Sequence, residues 1–264
     1  QAQAVDVSRD GKHLYVASSG SDAVSVFRRD AATGSLSFVQ ALGPASGISD
    51  AYDVVVPEDG GHVYACNYDL ASITVFERNA ETGTLLYRST VQNGTAGVQG
   101  LDGVTSLAFS PGGEFLYGAA GADDAVVAFQ RNPADGSLTF VDMEKEGVNG
   151  VDGLASANSV SVSSDGSHVY VGTATLERAI AVFARHPDTG ALTFLKAVRN
   201  GEDGLYEMQT ADGMVFDGSG RHVYVAAGSY GAVIHFSRDE STGDLSVVEQ
   251  TPNVQALETV GLAV

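Results

Sequence analysis

The fold is decided by the stretch Asp10-Gly11-Lys12-His13-Leu14-Tyr15-Val16, because variants of it return at regular intervals along the chain. The recurring tyrosines are Tyr15, Tyr64, Tyr117, Tyr170 and Tyr224. They are separated by 49, 53, 53 and 54 residues, and each is followed by a phenylalanine and then a glycine at nearly constant distances. A period of about 50 residues indicates a repeat architecture in which each copy is one small structural unit.

Each copy of the repeat predicts four short strands, A to D. In the first copy, strand A is Val5-Asp6-Val7, strand B carries Tyr15, strand C is Ala23–Phe27 and strand D is Ser35–Val39. Pairs such as Asp10-Gly11 between the strands are hairpin-turn signals. No long segment shows the 3.6-residue period of a helix. The sequence therefore predicts an all-β chain, a β-propeller built from four-stranded antiparallel blades.

The repeat divides one propeller domain, residues 1–264, into five blades and a remainder. The five repeats cover approximately 1–48, 49–101, 102–155, 156–209 and 210–256, and 257–264 is predicted to be the first strand of a further repeat. A closed five-bladed ring is favoured, and the alternative is part of a six- or seven-bladed ring or of a longer array. Unpaired strands and uncovered blade faces at the termini would promote self-association.

Three motifs of the first copy resemble the lactonase-like, YVTN-type β-propeller family. They are Asp10-Gly11-Lys12-His13-Leu14-Tyr15-Val16, Ala23-Val24-Ser25-Val26-Phe27 and Thr33-Gly34-Ser35-Leu36, and their equivalents recur through the chain. That family includes 6-phosphogluconolactonase-like and carboxymuconate-lactonizing-like proteins, usually with seven blades. The resemblance implies a lactone hydrolase or a lactonizing enzyme. The matching motifs belong to the scaffold, so they assign no catalytic residue.

The charge balance excludes some classes of partner. The formal net charge is −19, from 33 acidic and 14 basic residues. Such a chain repels polyanions, so we expect no binding to nucleic acid. No apolar run approaches the roughly 20 residues that span a bilayer, so we expect no membrane insertion. We expect a secreted or periplasmic location, although this chain shows no signal-peptide pattern.

Four tyrosines lie outside the repeat positions and map to the face that carries the B–C loops and the D–A connections. They are Tyr52, Tyr68, Tyr206 and Tyr230. The loops of this face vary in length and sequence between copies, and such variable loops commonly carry binding sites. An exposed tyrosine offers apolar area with a polar tip, which suits a glycan or a protein ligand. Local packing of the long loops is the alternative explanation.

Glycines recur every third residue in two D–A connections, and an aspartate precedes the last glycine of each set. These aspartates are Asp102 and Asp152, with Asp203 in a weaker echo. A carboxylate together with backbone carbonyls can hold Ca²⁺. The alternative is a loop shaped by glycine with solvated carboxylates. We predict no other cofactor.

Strand A of each blade is expected to line the central channel with small, mildly polar residues. Asp53 and Asp212, near the wide mouth, are the only plausible paired carboxylates, and we assign them to ligand binding. No nucleophile elbow, zinc-protease motif or P-loop is present. The main prediction is a non-catalytic extracellular recognition or scaffold propeller that binds a glycan or protein through its variable face. The alternative is the lactone hydrolase or lactonizing enzyme.

Overall fold

The computed structural model describes residues 1–174, 177–228 and 231–251, and these residues form five four-stranded antiparallel sheets. The strands are β1 (Ala2–Val7), β2 (His13–Ser18), β3 (Ala23–Arg29), β4 (Leu36–Leu42), β5 (Ala51–Val55), β6 (His62–Asn67), β7 (Ser72–Arg78), β8 (Leu85–Gln92), β9 (Val104–Phe109), β10 (Phe115–Ala120), β11 (Ala125–Arg131), β12 (Leu138–Lys145), β13 (Ala157–Val162), β14 (His168–Thr173), β15 (Ala179–Arg185), β16 (Leu192–Arg199), β17 (Gly213–Phe216), β18 (His222–Ala227), β19 (Ala232–Arg238) and β20 (Leu245–Thr251). Two 3₁₀ turns, Ser19–Ser21 and Pro44–Ser46, lie between strands. Neither these turns nor any other helix in the described residues has the length and apolar character to cross a membrane.

Each sheet is one repeat, with its four strands hydrogen-bonded in chain order. The predicted all-β class and four-stranded antiparallel blades are therefore confirmed. In every sheet the pairing of the third and fourth strands shifts register next to the repeat phenylalanine. In the first blade this shift sets Phe27 edge-on against Phe38, with ring centroids 5.9 Å apart. In the first four blades the recurring phenylalanine thus packs against an aromatic ring of the fourth strand of its own blade.

Consecutive blades are joined by an arginine at the end of the third strand. Arg78, in the second blade, donates from Nε to the Tyr15 hydroxyl at 2.8 Å and from Nη2 to Asp10 Oδ2 at 2.8 Å. Its Nη1 donates to the Gly60 carbonyl of its own blade at 3.1 Å. The Tyr15 hydroxyl in turn donates to the Gly83 carbonyl of the second blade. We call this set of contacts the inter-blade latch.

The arginine–tyrosine part of the latch recurs at the other three described interfaces, and the aspartate part recurs at those of Arg131 and Arg238. These contacts explain why the motif repeats. The corresponding arginine–tyrosine pairs are Arg131–Tyr64, Arg185–Tyr117 and Arg238–Tyr170. The motif histidine packs its ring against a glycine of the next blade, as His13 does against Gly83. In the third blade Phe115 replaces the histidine and lies 5.1 Å below the Arg185 guanidinium. Each recurring residue therefore contributes one side of a contact between neighbouring blades.

The inner strands pack in the order β1, β5, β9, β13 and β17. Val54 and Val160 face the preceding blade and are 1% and 5% exposed, whereas Val5, at the same repeat position in the first blade, is 59% exposed. Among the described residues no blade covers this face of the first blade. The closed five-bladed ring is therefore not confirmed. The predicted sixth inner strand, 257–264, lies outside the described residues.

Candidate functional site

A pocket of about 260 Å³ lies at the mouth of the central channel, on the face that carries the B–C loops and the D–A connections. Its lining comes from the first residues of the inner strands and the residues just before them. The lining residues are Gln3, Ala4, Tyr52, Asp53, Thr105, Ser106, Asn158 and Asp212. All five described blades contribute to it. The pocket therefore depends on the blades being correctly packed around the channel.

Five of the lining residues occupy a single repeat position, twelve residues before the repeat tyrosine. They are Gln3, Tyr52, Thr105, Asn158 and Asp212. The next position supplies Ala4, Asp53 and Ser106. A position that fills a structural role in every blade would keep one residue type, as the latch positions do. Here each copy carries a different residue, and that variation is the sequence signal that identifies Gln3, Thr105 and Asn158, which the sequence analysis missed.

The carboxyl group of Asp53 bridges two blades while lining the pocket. Its Oδ2 accepts from the Leu107 N–H of the third blade at 2.8 Å, and its Oδ1 accepts from the Val54 N–H at 2.7 Å. Burial raises the pKa of Asp53 to about 7, although both backbone hydrogen bonds act to lower it, and the negative charge of Asp6 adds to the rise. A carboxyl group with a pKa near neutrality can exchange a proton at physiological pH.

Asp6 makes the same pair of hydrogen bonds one blade earlier. It accepts from the Val7 N–H at 2.7 Å and from the Val56 N–H at 2.8 Å. Burial also raises the pKa of Asp6. Asp6 does not line the pocket. It therefore has the inter-blade role of Asp53 without access to the site.

Asp212 lies in the same pocket and belongs to a separate polar chain. Its Oδ1 accepts from Asn158 Nδ2 at 3.1 Å, and its Oδ2 accepts from the Thr210 hydroxyl and the Gly228 N–H, each at 3.0 Å. A side chain at position 228 would overlap the Asp212 carboxylate, so glycine is needed for this approach. The Thr105 hydroxyl donates to the Asn158 carbonyl at 2.9 Å. Burial raises the pKa of Asp212, while the bonds from Thr210 and Gly228 act to lower it.

The predicted tyrosines separate in the structure. Tyr52 lines the pocket, and its ring centroid lies 5.2 Å from that of Tyr68, which is 37% exposed. Tyr206 is 63% exposed in the connection before β17 and is not among the lining residues. Tyr230 lies outside the described residues. The structure thus brings Tyr52, Asp53 and Asp212 into one pocket, and Tyr68 packs against Tyr52 outside its lining.

The three aspartates of the calcium hypothesis lie in three different D–A connections. Their glycines, such as Gly103 and Gly153, have φ angles of 69° and 90°, a region that favours glycine, so the backbone path alone accounts for them. The Asp152 carboxylate pairs with the Arg199 guanidinium at 2.5 Å. Within the described ranges no group of three or more His, Cys, Asp or Glu side chains is arranged to hold a metal ion. Calcium binding at Asp102, Asp152 and Asp203 stays a prediction.

Comparison with known families assigns the scaffold. The sequence matches the family described as lactonase, seven-bladed β-propeller, over residues 1–99 and 91–261. The chain belongs to this lactonase family. The resemblance inferred from the repeat motifs is thereby confirmed. A search of curated protein sequences gives no significant match to this family member.

Solved structures of low sequence identity share the fold of this lactonase-family propeller. The periplasmic gluconolactonase of Pseudomonas aeruginosa is 22% identical, with a TM-score of 0.76 over 96% of this chain and 70% of its own. A protein from Lactobacillus plantarum is 19% identical, with a TM-score of 0.77 over 97% of this chain and 72% of its own. A protein described as a candidate 6-phosphogluconolactonase of Bacteroides uniformis is 19% identical, with a TM-score of 0.67 over 95% and 85%.

Proposed function

We propose that this protein hydrolyses lactones in the channel-mouth pocket. The observation that carries the proposal is Asp53, a pocket-lining carboxyl group whose pKa is raised by burial to about 7, in a member of a lactonase family. Proton transfer at neutral pH needs a group of this kind. The pocket and the family favour the hydrolase over the non-catalytic recognition module that was the main prediction from sequence.

In the proposed reaction the Asp53 carboxylate acts as the general base. It takes a proton from a water molecule as the water oxygen bonds to the lactone carbonyl carbon. The tetrahedral intermediate then expels the ring oxygen, which takes the proton back from the Asp53 carboxylic acid. One water molecule and one lactone give one hydroxy acid, and Asp53 returns to its starting state.

The polar chain through Asn158 and Asp212, which also lines the pocket, supports substrate orientation. Asn158 uses one amide N–H for Asp212. Among the described residues its second N–H has no partner, so it can donate to an oxygen of the lactone. Because Asp212 accepts three hydrogen bonds, its own position is fixed, and it fixes Asn158 in turn. The ring of Tyr52 offers an apolar face against which the carbons of a small ring can pack.

The proposal is tested by following acid release from a panel of five- and six-membered lactones at constant pH. Wild-type protein is expected to exceed the spontaneous rate for at least one of them, and Asp53→Asn to lower kcat/KM by about 10²- to 10⁴-fold. Asp6→Asn is the matched control, since it loses the equivalent inter-blade hydrogen bond outside the pocket. The two variants are compared at a pH well above 7, where Asp53 is deprotonated with or without the neighbouring Asp6 charge. Equal losses there would show that Asp53 acts only through the scaffold. No turnover on any lactone would refute the proposal.

A further inference from the structure

The channel-mouth pocket is lined by acidic and uncharged residues. Its lining includes two aspartates, and among the described residues it includes no lysine or arginine. Proteins hold phosphate groups with arginine or lysine side chains or with helix N-termini. We propose that the site takes an uncharged lactone with free hydroxyl groups and discriminates against the phosphorylated form of the same ring. This inference rests on the proposed function and names its substrate class.

Two cations on the same face pair with carboxylates at the periphery, and a third, Arg178, is exposed and does not line the pocket. Lys145, at the end of β12, has its Nζ 3.6 Å from Asp123 Oδ1. Arg199, at the end of β16, pairs with Asp152 at 2.5 Å and lies 3.6 Å from Glu177. Neither residue lines the pocket. These ion pairs hold both cations at the outer strands of their blades.

The latch arginines are engaged at the opposite end of the blades. Arg78, for example, has its guanidinium bound by Asp10, the Tyr15 hydroxyl and the Gly60 carbonyl, and its side chain is 3% exposed. These partners belong to the A–B turns and the adjoining strand, away from the channel mouth. The inter-blade latch therefore gives no positive charge to an anion in the pocket. The net charge of −19 adds a long-range repulsion toward a phosphorylated substrate.

The size and chemistry of the pocket fit one small hydroxylated ring. Its volume of about 260 Å³ is below the roughly 300–1,000 Å³ typical of pockets for drug-sized ligands. Gln3, Thr105 and Asn158 bring amide and hydroxyl groups that can both donate and accept hydrogen bonds. Ring hydroxyls need this dual character. A monosaccharide-sized lactone therefore matches the site better than an oligosaccharide or an anionic ring.

The test compares hydrolysis of glucono-1,5-lactone with that of its 6-phosphate, each corrected for the spontaneous rate. The uncharged lactone is expected to have the higher kcat/KM by about tenfold or more at low ionic strength. The difference should narrow as salt is added, because screening weakens the repulsion. A preference for the phosphorylated lactone would overturn the inference and leave the proposed hydrolase intact.

A matched pair of variants isolates the charge of the pocket wall. Ala4 lines the pocket and has no side-chain polar atom, so its replacement removes no hydrogen bond. Ala4→Lys is expected to raise turnover of the phosphorylated lactone relative to Ala4→Gln, which is neutral and of similar length. If the two variants act alike on both lactones, charge does not set the selectivity and the inference is wrong.

Binding measurements separate this inference from the proposed catalysis. The ligands are 1,5-anhydroglucitol and its 6-phosphate, cyclic analogues that lack the carbonyl and cannot be hydrolysed. Calorimetric titration of wild-type protein is expected to show binding of the uncharged analogue and at least tenfold weaker binding of the phosphate. This result stands even if no lactone is turned over. Tighter binding of the phosphate, or binding of neither analogue, would overturn the inference.

Discussion

Asp53 places a proton-exchanging carboxyl group at the channel mouth, and its raised pKa of about 7 makes the expected activity depend on pH. The group acts as a base only when it is deprotonated. We therefore expect kcat/KM for lactone hydrolysis to rise with pH through about 7 and to level off above it. Residual activity in Asp53→Asn should lack this rise. A wild-type profile without an inflection near pH 7 would contradict the assignment.

Asp53 also affects the stability of the fold. Its pKa of about 7 in the folded chain lies above the value of about 3.9 for an unfolded aspartate, so the folded state holds a proton that the unfolded state has lost between these pH values. The stabilising contribution is complete below about pH 4 and is lost as pH rises to 7. Thermal unfolding between pH 4 and 8 should show a smaller decline in Asp53→Asn than in wild type. An unchanged pH dependence would contradict the buried, protonated state.

At the residue scale the sequence predicted part of the site. The sequence pattern places Asp53 and Asp212 near the wide mouth, and both line one pocket. Their role in ligand binding stays a prediction. The sequence places Tyr206 on the same face as Tyr52, because the face on which a loop lies follows from the topology. Whether a residue lines a particular pocket depends on the course of its own connection, and Tyr206 does not line this pocket. Asn158 and Thr105 were missed because neither is a titratable or aromatic residue. Thr105 donates to the Asn158 carbonyl and Asn158 donates to Asp212, and each bond crosses from one blade to the next.

At the level of elements, the C–D turn packs against the preceding blade. The contribution of this contact to stability can be measured by substituting two glycines. Gly34 and Gly83 occupy the same repeat position, with φ angles of 76° and 79°. A methyl group at Gly83 would overlap the ring of His13, whereas one at Gly34 meets nothing within 4 Å. Gly34→Ala should cost about 1–2 kcal/mol for its left-handed backbone, and Gly83→Ala about 1–3 kcal/mol more because of overpacking. Equal losses in urea unfolding would contradict the blade contact.

The latch arginine provides a second measurement of blade-to-blade packing. Arg78→Ala leaves the Tyr15 hydroxyl and the Asp10 carboxylate without their partner and should cost about 3–5 kcal/mol of unfolding free energy. Arg29 has the same repeat position and the same bond to its own blade, from Nη1 to the Gly11 carbonyl. Within the described residues it has no tyrosine or aspartate partner, so Arg29→Ala should cost less than about 1 kcal/mol. Similar losses in chemical denaturation would show that the arginine stabilises only its own blade.

The strands were predictable because hairpins join residues that are close in the sequence. The alternating pattern and the turn pairs gave four strands in every copy, and the structure extends the first D strand to Leu42 because it continues to pair with Val24 of β3. The latch could not be predicted from the sequence pattern, because its partners are far apart in the chain. Tyr15 and Arg78 are separated by 63 residues, and Asp10 and Arg78 by 68. The repeat revealed that these residues matter, but their contacts required the spatial order of the blades.

For the whole molecule, within residues 1–251 as far as they are described, the first and fifth blades expose complementary faces. The first blade presents Arg29 and the exposed Val5 and Val7, which correspond to residues that face the preceding blade elsewhere. The fifth blade presents Tyr224, which is half-buried, whereas the repeat tyrosines of the other four blades are fully buried. A first-blade face therefore has the chemistry to pack on a fifth-blade face of a second copy. These residues are the ones we expect to form the self-association predicted from sequence.

Such a contact joins two different faces, so it does not close on itself as a two-fold dimer does. Val5→Arg places a charge on the first-blade face, and Val233→Arg on the fifth-blade face, where Val233 is half-buried on β19. At about 0.15 M salt, screening limits charge repulsion beyond about 8 Å. Under this condition sedimentation should show that wild type associates in a concentration-dependent way and that each variant alone is monomeric. An equimolar mixture of the variants retains one intact face of each kind and should form a one-to-one pair that grows no further. A mixture that stays monomeric, or a wild type that never associates, would rule out the end faces as the contact.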